Sequence, residues 1–373
     1  MELNDGKIKV IAYYLPQFHP TQENNKWWGA GFTEWTNVGK AKPLFKGHYQ
    51  PKVPSDLGYY DLRIEDVAIK QAELAQKAGI SGFCYWHYWF GNGRKLLEMP
   101  AERMLKSGRP DFPFCFSWAN HGWWKKSWSP DGSSELLMEQ TYPGIKDIDE
   151  HFYYCLPFFK DERYMRYNGK PIFFIYKHLD YQSINEFITR WNILAKKENL
   201  SDGFYFFTGL LSFDTLADAK QKGLDGGIID INAQEKLIPS LWTRGIEFLK
   251  RKTKISFEKH PRTIDYYDLI KHAWSNYRLN RNDVIPMILP NWDHTPRSGK
   301  FGTVYVNTSP SSFEKMLKKV LPLVNLKENK LIVLKSWNEW GEGNYMEPDI
   351  RFGQGFIKAL ATQLAQFQGI ISV

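Results

Sequence analysis

Two glutamates three residues apart, Glu339 and Glu342, lie within Trp337-Asn338-Glu339-Trp340-Gly341-Glu342-Gly343. The run follows an apolar stretch, Leu331-Ile332-Val333-Leu334, with the composition of a buried strand. Two carboxylates at a strand's C-terminal end suit acid/base chemistry on a sugar: one holds a proton for the departing oxygen, the other stays ionised and accepts one. The flanking tryptophans offer flat apolar surface for a sugar ring. A salt-bridged helix start would use acidic residues in the same place. Gly341 and Gly343 favour an irregular loop instead.

Strand-like and helix-like segments alternate along the chain and must position such a pair. Strands are expected at Lys9 to Leu15, Gly82 to Trp89, Pro113 to Trp118, Pro171 to Lys177, Phe204 to Leu210, Gly227 to Ile231, Ile285 to Leu289 and Leu331 to Ser336. They are short and apolar on both faces, as parallel strands covered by helices should be. Helical spacing marks Ile64 to Ala78, ending at Gly79, and Ile184 to Asn199, Asp265 to Tyr277, Ser311 to Val324 and Gly355 to Phe367. Ser183 and Ser311 are the expected N-caps. Eight such units over 373 residues predict an α/β fold, a single (β/α)₈ TIM barrel with loop insertions at the C-terminal face. The rival is a doubly wound sheet, which wants a Gly-rich phosphate loop after the first strand, where Leu15-Pro16-Gln17-Phe18-His19-Pro20 stands. With no linker or repeat, one domain over residues 1–373 is expected. The basic, weakly periodic stretch from Lys236 to Thr263 is expected to be an excursion over the barrel.

Barrel sites are built from strand C-termini and the loops after them. These ends carry Tyr13, Tyr14, Gln17 and His19, then Trp86, His87, Tyr88 and Trp89, then Trp118, Asn120, His121, Trp123 and Trp124. They continue with Tyr176 and His178, Asp230 and Asn232, Asn291, Trp292 and Asp293, and finally Trp337, Asn338, Glu339 and Glu342. Any one tryptophan or histidine here is readily a packed core residue. Repetition at strand after strand is hard to attribute to packing and points to an aromatic-walled basin. Glu339 and Glu342 are the candidate catalytic residues. The candidate substrate contacts are Tyr14, Gln17, His19, Trp86, His87, Tyr88, Trp118, Asn120, Tyr176, Asn291, Trp292, Trp337 and Asn338.

Composition narrows the alternatives. A formal charge of +8 is spread over helix-like segments without a nucleic-acid motif, so no nucleic-acid partner is expected. Cys84, Cys115 and Cys155 lie in apolar runs and read as buried thiols, not a disulfide framework. No window has the length of a membrane span and no signal-like segment precedes the first strand, so a cytoplasmic protein is expected. The nine histidines fall in no HExxH or CxxC pattern, so neither metal nor cofactor is expected. A serine hydrolase is disfavoured by the lack of a Gly-x-Ser-x-Gly elbow.

Longer blocks carry a resemblance. Ile11-Ala12-Tyr13-Tyr14-Leu15-Pro16-Gln17-Phe18-His19-Pro20, Trp27-Trp28-Gly29-Ala30-Gly31-Phe32-Thr33-Glu34-Trp35-Thr36-Asn37-Val38 and Gly47-His48-Tyr49-Gln50-Pro51 resemble the glycoside hydrolase family 99-like proteins, many of which carry the WbsX glycosyltransferase name. So do Asp56 to Asp61, Gly82 to Trp89, and Trp337 to Gly343 with Glu347-Pro348-Asp349. The stretch from Thr208 to Asp283 is outside the resemblance. It implies a (β/α)₈ barrel acting on glycosidic bonds, often in O-antigen or capsular polysaccharide contexts, with oligosaccharide, polysaccharide or lipid-linked glycan as partner.

It further implies a retaining mechanism without an enzyme nucleophile. Glu339 would deprotonate the sugar's 2-hydroxyl to form a 1,2-anhydro sugar. Glu342 would protonate the leaving oxygen and then activate water. Glu342 should accordingly have a raised pKa, and Glu339 should be kept ionised by hydrogen-bond donors. Asn120-His121-Gly122-Trp123 departs from the Asn-Glu-x-Trp of many relatives, which alters a sugar contact. A glycosyltransferase on the same barrel would want a diphosphate site, and no Asp-x-Asp occurs. A catalytically silent carbohydrate-binding barrel would have no need of both glutamates.

Overall fold

Eight stretches rich in Ile, Val, Phe and Tyr form the strands of a closed parallel cylinder. The computed structural model describes residues 1–126, 134–210, 214–232, 260–273 and 277–367. The strands are β1 (Lys9–Tyr14), β2 (Gly82–Trp89), β3 (Phe114–Trp118), β4 (Lys170–Ile175), β5 (Tyr205–Leu210), β6 (Gly226–Ile229), β7 (Val284–Ile288) and β8 (Leu331–Leu334). Each pairs in parallel with the next. β1 closes the ring by pairing with both β2 (Ile11 opposite Gly82) and β8 (Lys9 opposite Leu331). An open doubly wound sheet has two free edges, so this closure excludes it. The expected strands all fall on these eight, within a few residues at their ends.

Helices cover the cylinder: α1 (Glu65–Lys77), α2 (Met99–Ser107), α3 (Ile145–Lys160), α4 (Ile184–Lys197), α5 (Asp214–Gln221), α6 (Tyr266–Ala273), α7 (Pro310–Asn325) and α8 (Gly355–Phe367). Alternation along each strand sends one set of side chains into the barrel and the other onto this helical coat. On β3, Phe114 and Phe116 meet Phe158 of α3, whereas Cys115 faces inward opposite Cys84. All three cysteines are free and buried. Trp191 of α4 is fully buried among Phe152, Phe159, Phe173 and Phe204. Much of the chain's aromatic content therefore sits between barrel and helices, away from any ligand.

Two expected caps differ from the observed ones. Ser183 makes no side-chain capping bond at the start of α4. α7 begins at Pro310, and Ser309 rather than Ser311 is its N-cap, in a reciprocal box with Ser312. Proline at N1 lacks only an N–H that the helix could not have used, which moves the start back one turn position. Ser309→Ala is expected to cost about 1 kcal/mol in urea-induced unfolding. An unchanged midpoint would show that the box contributes nothing.

Most of the expected excursion from Lys236 to Thr263 lies outside the described residues. Its end enters the short strand Arg262–Asp265, which pairs in parallel with Thr303–Val306 beside the barrel. Among the described residues no helix is long and apolar enough to cross a membrane.

Candidate active site

The chain leaving β8 is fastened at both ends before it presents the glutamates. Trp337 donates its backbone N–H to Tyr13 O at 2.7 Å, and the Asn338 amide pairs with both backbone groups of Leu15, at 2.7 and 3.0 Å. Asn338–Glu339 then runs antiparallel to Asn344–Tyr345, and Trp340–Glu342 fills the turn between them as one 3₁₀ turn. Gly343 closes it at φ +55°, where a Cβ would come within 2.7 Å of Asp293 Cβ and Lys52 Nζ. A left-handed, crowded position of this kind requires glycine.

The turn is braced by buried polar groups from distant sequence blocks. Asp293 N–H donates to Glu342 O at 2.8 Å, and Lys52 Nζ donates to Gly343 O at 3.0 Å. The Asp293 carboxylate in turn bonds His48 (2.8 Å), Gln50 (2.6 Å) and the Thr295 hydroxyl (2.6 Å). On the other side Glu347 accepts from Gln71 (2.6 Å), Tyr60 (3.0 Å) and the Trp340 indole (2.6 Å). The Trp340 ring lies 3.7 Å from that of Tyr345, nearly parallel. Buried polar groups paired this fully hold one geometry, because every displacement leaves a partner unsatisfied.

Glu339 and Glu342 point to the same place, since one nitrogen of Arg297 reaches both. Arg297 Nη1 is 2.5 Å from Glu342 Oε1 and 3.6 Å from Glu339 Oε1. His294 Nε2 is 3.7 Å from Glu342 Oε1, and Ser336 Oγ donates to Glu339 Oε2 at 2.8 Å. Burial, then the neighbouring Glu342, push Glu339 up to about 7. Burial acts on Glu342 in the same sense, but Arg297, His294 and Lys335 outweigh it and hold this carboxyl below its ordinary range. Burial and Arg297 thus push the ligand-free pair apart in the sense opposite to the sequence expectation, Glu339 upward and Glu342 downward. The physical reason is Arg297, whose position beside Glu342 sequence spacing did not show.

The raised Glu339 has a consequence for stability. Its carboxyl titrates near 4.5 when unfolded and near 7 when folded. Between those values the native chain binds more protons, so this group's contribution falls as pH rises and levels off above about 7. Burial raises Glu347 to about 7 as well, in the same sense. Glu339→Gln is expected to flatten the decline in urea midpoint between about pH 5 and about pH 8. An unaltered slope would contradict the assignment.

Aromatic side chains line the mouth around the pair. Tyr13 stacks on Trp86 at 4.5 Å, and Tyr176 meets the Trp86 edge at 5.3 Å. Tyr88 lies within electrostatic range of Glu339, Arg297, Glu34 and Glu342. Trp292 stacks over His294 at 6.0 Å and receives Lys335 Nζ at 4.8 Å from its ring centre. His121 approaches Tyr176 at 5.5 Å. Trp86, Tyr88, Tyr176 and Trp292 therefore stand where sugar contacts were expected.

Other expected contacts turn away from the mouth. Tyr14 points outward and donates to Gln71 of α1 at 2.8 Å, leaving its neighbour Tyr13 to face the basin. Trp118 packs on Phe187 of α4 and donates to Trp89 O. Asn120 ties two loops together through Lys177 N and O, and Asn291 receives Tyr345 N–H. Trp337 is fully buried against Phe83, and Asn338 is spent on Leu15. Gln17 is buried with its amide toward Asn24 at 3.5 Å. His19 is buried near Asp61 and Arg63 rather than near the glutamates. These residues shape the site from behind.

His87 also faces outward, 2.8 Å from His151 of α3 and 3.8 Å from Cys155 Sγ. Among the described residues these three are the one group whose ligand atoms could gather on a metal, all within 4.8 Å. The 2.8 Å separation is that of a hydrogen bond, shorter than the ~3.3 Å between two imidazole nitrogens on tetrahedral zinc. Burial pushes His87 down to about 3 and His151 well below its ordinary value, so both rings are neutral.

The family model described as "Glycosyltransferase WbsX" matches residues 10–360. The chain belongs to the WbsX glycosyltransferase family. Protein WxcX of Xanthomonas campestris pv. campestris is 31% identical over 361 residues, covering 96% of this chain. The chain spans 50% of that relative's length. Among solved structures, the GH99 endo-alpha-mannosidase from Bacteroides thetaiotaomicron superposes with a TM-score of 0.55 at 16% identity, covering 97% of each chain. A glycoside hydrolase-like protein does so at 0.55 and 14%, covering 96% of this chain and 94% of the other. At such identities the likeness shows a shared barrel fold.

In this WbsX family member, several mouth residues escaped the sequence reading. Arg297 sits on the short helix Thr295–Ser298, and Lys335 follows β8 and pairs with Asp230 at 3.1 Å. Glu34 lies inside the Gly31-Phe32-Thr33-Glu34-Trp35 block, where it reads as the first-turn acidic residue of a short helix. Nothing in local spacing signals their convergence, because they come from three separate loops.

Proposed function

We propose that this WbsX family member acts on glycosidic linkages of a bacterial polysaccharide or its lipid-linked precursor, with Glu339 and Glu342 dividing the proton transfers. The observation that supports this reading is the shared Arg297 nitrogen, which lies closer to Glu342 than to Glu339 and helps push the acidities of two buried carboxyls apart within an aromatic mouth. Glu339 supplies the proton to the departing oxygen, which leaves Glu342 to accept one from the attacking hydroxyl. That hydroxyl is the sugar's own 2-hydroxyl in a retaining reaction, or water in a direct one. Trp86, Tyr88, Tyr176 and Trp292 hold the ring, since sugar faces bind aromatic surface through their apolar C–H groups.

A glycosyltransferase reading is favoured by the family description. The same pair would serve it, with an acceptor hydroxyl in place of water. Calorimetric titration with mannose-containing oligosaccharides and with nucleotide sugars, followed by product analysis, separates the two. Oligosaccharide binding with new reducing ends supports hydrolysis. Nucleotide-sugar binding with chain extension supports transfer. Binding without turnover by either route would reduce the protein to a lectin-like barrel.

A further inference from the structure

Glu34 is 3% exposed, although it has no part in the barrel core. It opens the short helix Glu34–Gly39, capped by Thr33, and its backbone N–H donates to Gln17 O at 3.1 Å just beyond β1. The next residue, Trp35, packs at 5.5 Å on Trp340, inside the glutamate turn. The Glu34 carboxylate lies against that turn: a Cβ on Gly341 would come 1.9 Å from Glu34 Oε2 and 3.0 Å from Arg297 Nε. The glycine between the two glutamates is thus the opening through which Glu34 reaches Arg297. Arg297 turns Nε and Nη2 to Glu34 Oε2, both at 3.2 Å, and Nη1 to the glutamate pair.

We propose that Glu34 is a positioning residue, which by holding one edge of the Arg297 guanidinium aims the remaining nitrogen at Glu342 in preference to Glu339. A planar guanidinium gripped along one edge has no torsional freedom left for the other, so its 2.5 Å contact with Glu342 and 3.6 Å contact with Glu339 are set from behind. The groups facing the pair are Arg297 and His294 from the loop after β7, Lys335 and Ser336 from the end of β8, Tyr88 from β2 and Tyr176 after β4. Of these, only Arg297 touches both carboxyls. The inference rests on the two-glutamate reading, and it locates the origin of the pair's asymmetry in a residue that meets neither glutamate.

The test is a pH titration by ¹³C NMR of protein carrying carboxyl-labelled glutamate, with Glu339→Gln and Glu342→Gln assigning the two signals. Glu34→Gln is expected to narrow the gap between their titrations by about tenfold in proton affinity, because an opposite charge at this range shifts a carboxyl by about one unit or more. In an Arg297→Lys background, which keeps the charge and loses the fork, Glu34→Gln is expected to add nothing. Unmoved titrations in Glu34→Gln, or an equal shift with and without Arg297, would overturn the proposal. Should Glu34→Gln fail to fold, Arg297→Lys alone must narrow the gap, and an unchanged gap overturns it too. None of these measurements needs a substrate, so their outcome is separate from whether the protein turns over a glycan.

Discussion

Glu339→Gln is expected to slow glycan turnover by roughly 10²–10⁴-fold, the range that one positioned acid or base commands. Glutamine keeps the side chain's shape and can still accept from Ser336, yet it has no proton to release. Glu342→Gln should cost a similar factor, because it removes the acceptor that Arg297 keeps ionised. Oligosaccharide binding should stay within about tenfold in both variants, since neither change alters the aromatic walls. The pH profile assigns the roles. With Glu339 pushed up to about 7, wild-type kcat/KM should fall on the alkaline side as that proton is lost. On the acid side it should fall as Glu342 gains one. Residual activity of Glu339→Gln should lack the alkaline limb, and that of Glu342→Gln the acid limb. Wild-type turnover by either variant would remove that residue from the mechanism.

Asp293→Ala is expected to destabilise the protein by about 3–5 kcal/mol, the usual cost of leaving a buried charge without its partner. Asp293 is 2% exposed. Burial pushes its pKa up, but His48, Lys52 and Thr295 outweigh it and keep the group ionised below its ordinary range. Alanine would remove one of the two carboxylates that offset the burial of Lys52, leaving Asp349, and would unsatisfy His48, Gln50 and the Thr295 hydroxyl together. The effect belongs to neutral pH. As pH falls through the depressed carboxyl value, wild type loses the same contribution and the two proteins should converge. Urea unfolding at about pH 7 and about pH 2, below the depressed carboxyl value, reads both, and a loss below about 1 kcal/mol at neutrality would refute the bracing role.

Those two residues show how unevenly the site was legible. The glutamates were visible because Glu-x-x-Glu between tryptophans after an apolar strand has few structural uses. Asp293 was visible only as one more polar residue at a strand end, although it carries the network behind the glutamate turn. Tyr13 and Tyr14 differ by one position, and the strand's two-residue period sends them to opposite faces. β1 is buried along its whole length, so no polar alternation marked which face was which. The same ambiguity misplaced His87 and Trp118, and for the same reason: both strands are apolar toward the helices as well as toward the axis.

Sequence by itself determined the eight strands, the parallel barrel they imply, and the position of the two glutamates just beyond the last strand. Each of these follows from composition and spacing within short windows, where strand propensity and burial act locally. Tertiary structure alone decided in which direction the acidity of each glutamate is pushed. That property is a difference between two electrostatic environments, and Arg297, Lys335, His294 and Glu34 reach them from loops after β7, β8 and β1. Charges brought within a few ångströms by barrel closure leave no trace in their separation along the chain, which for Glu34 and Arg297 is 263 residues.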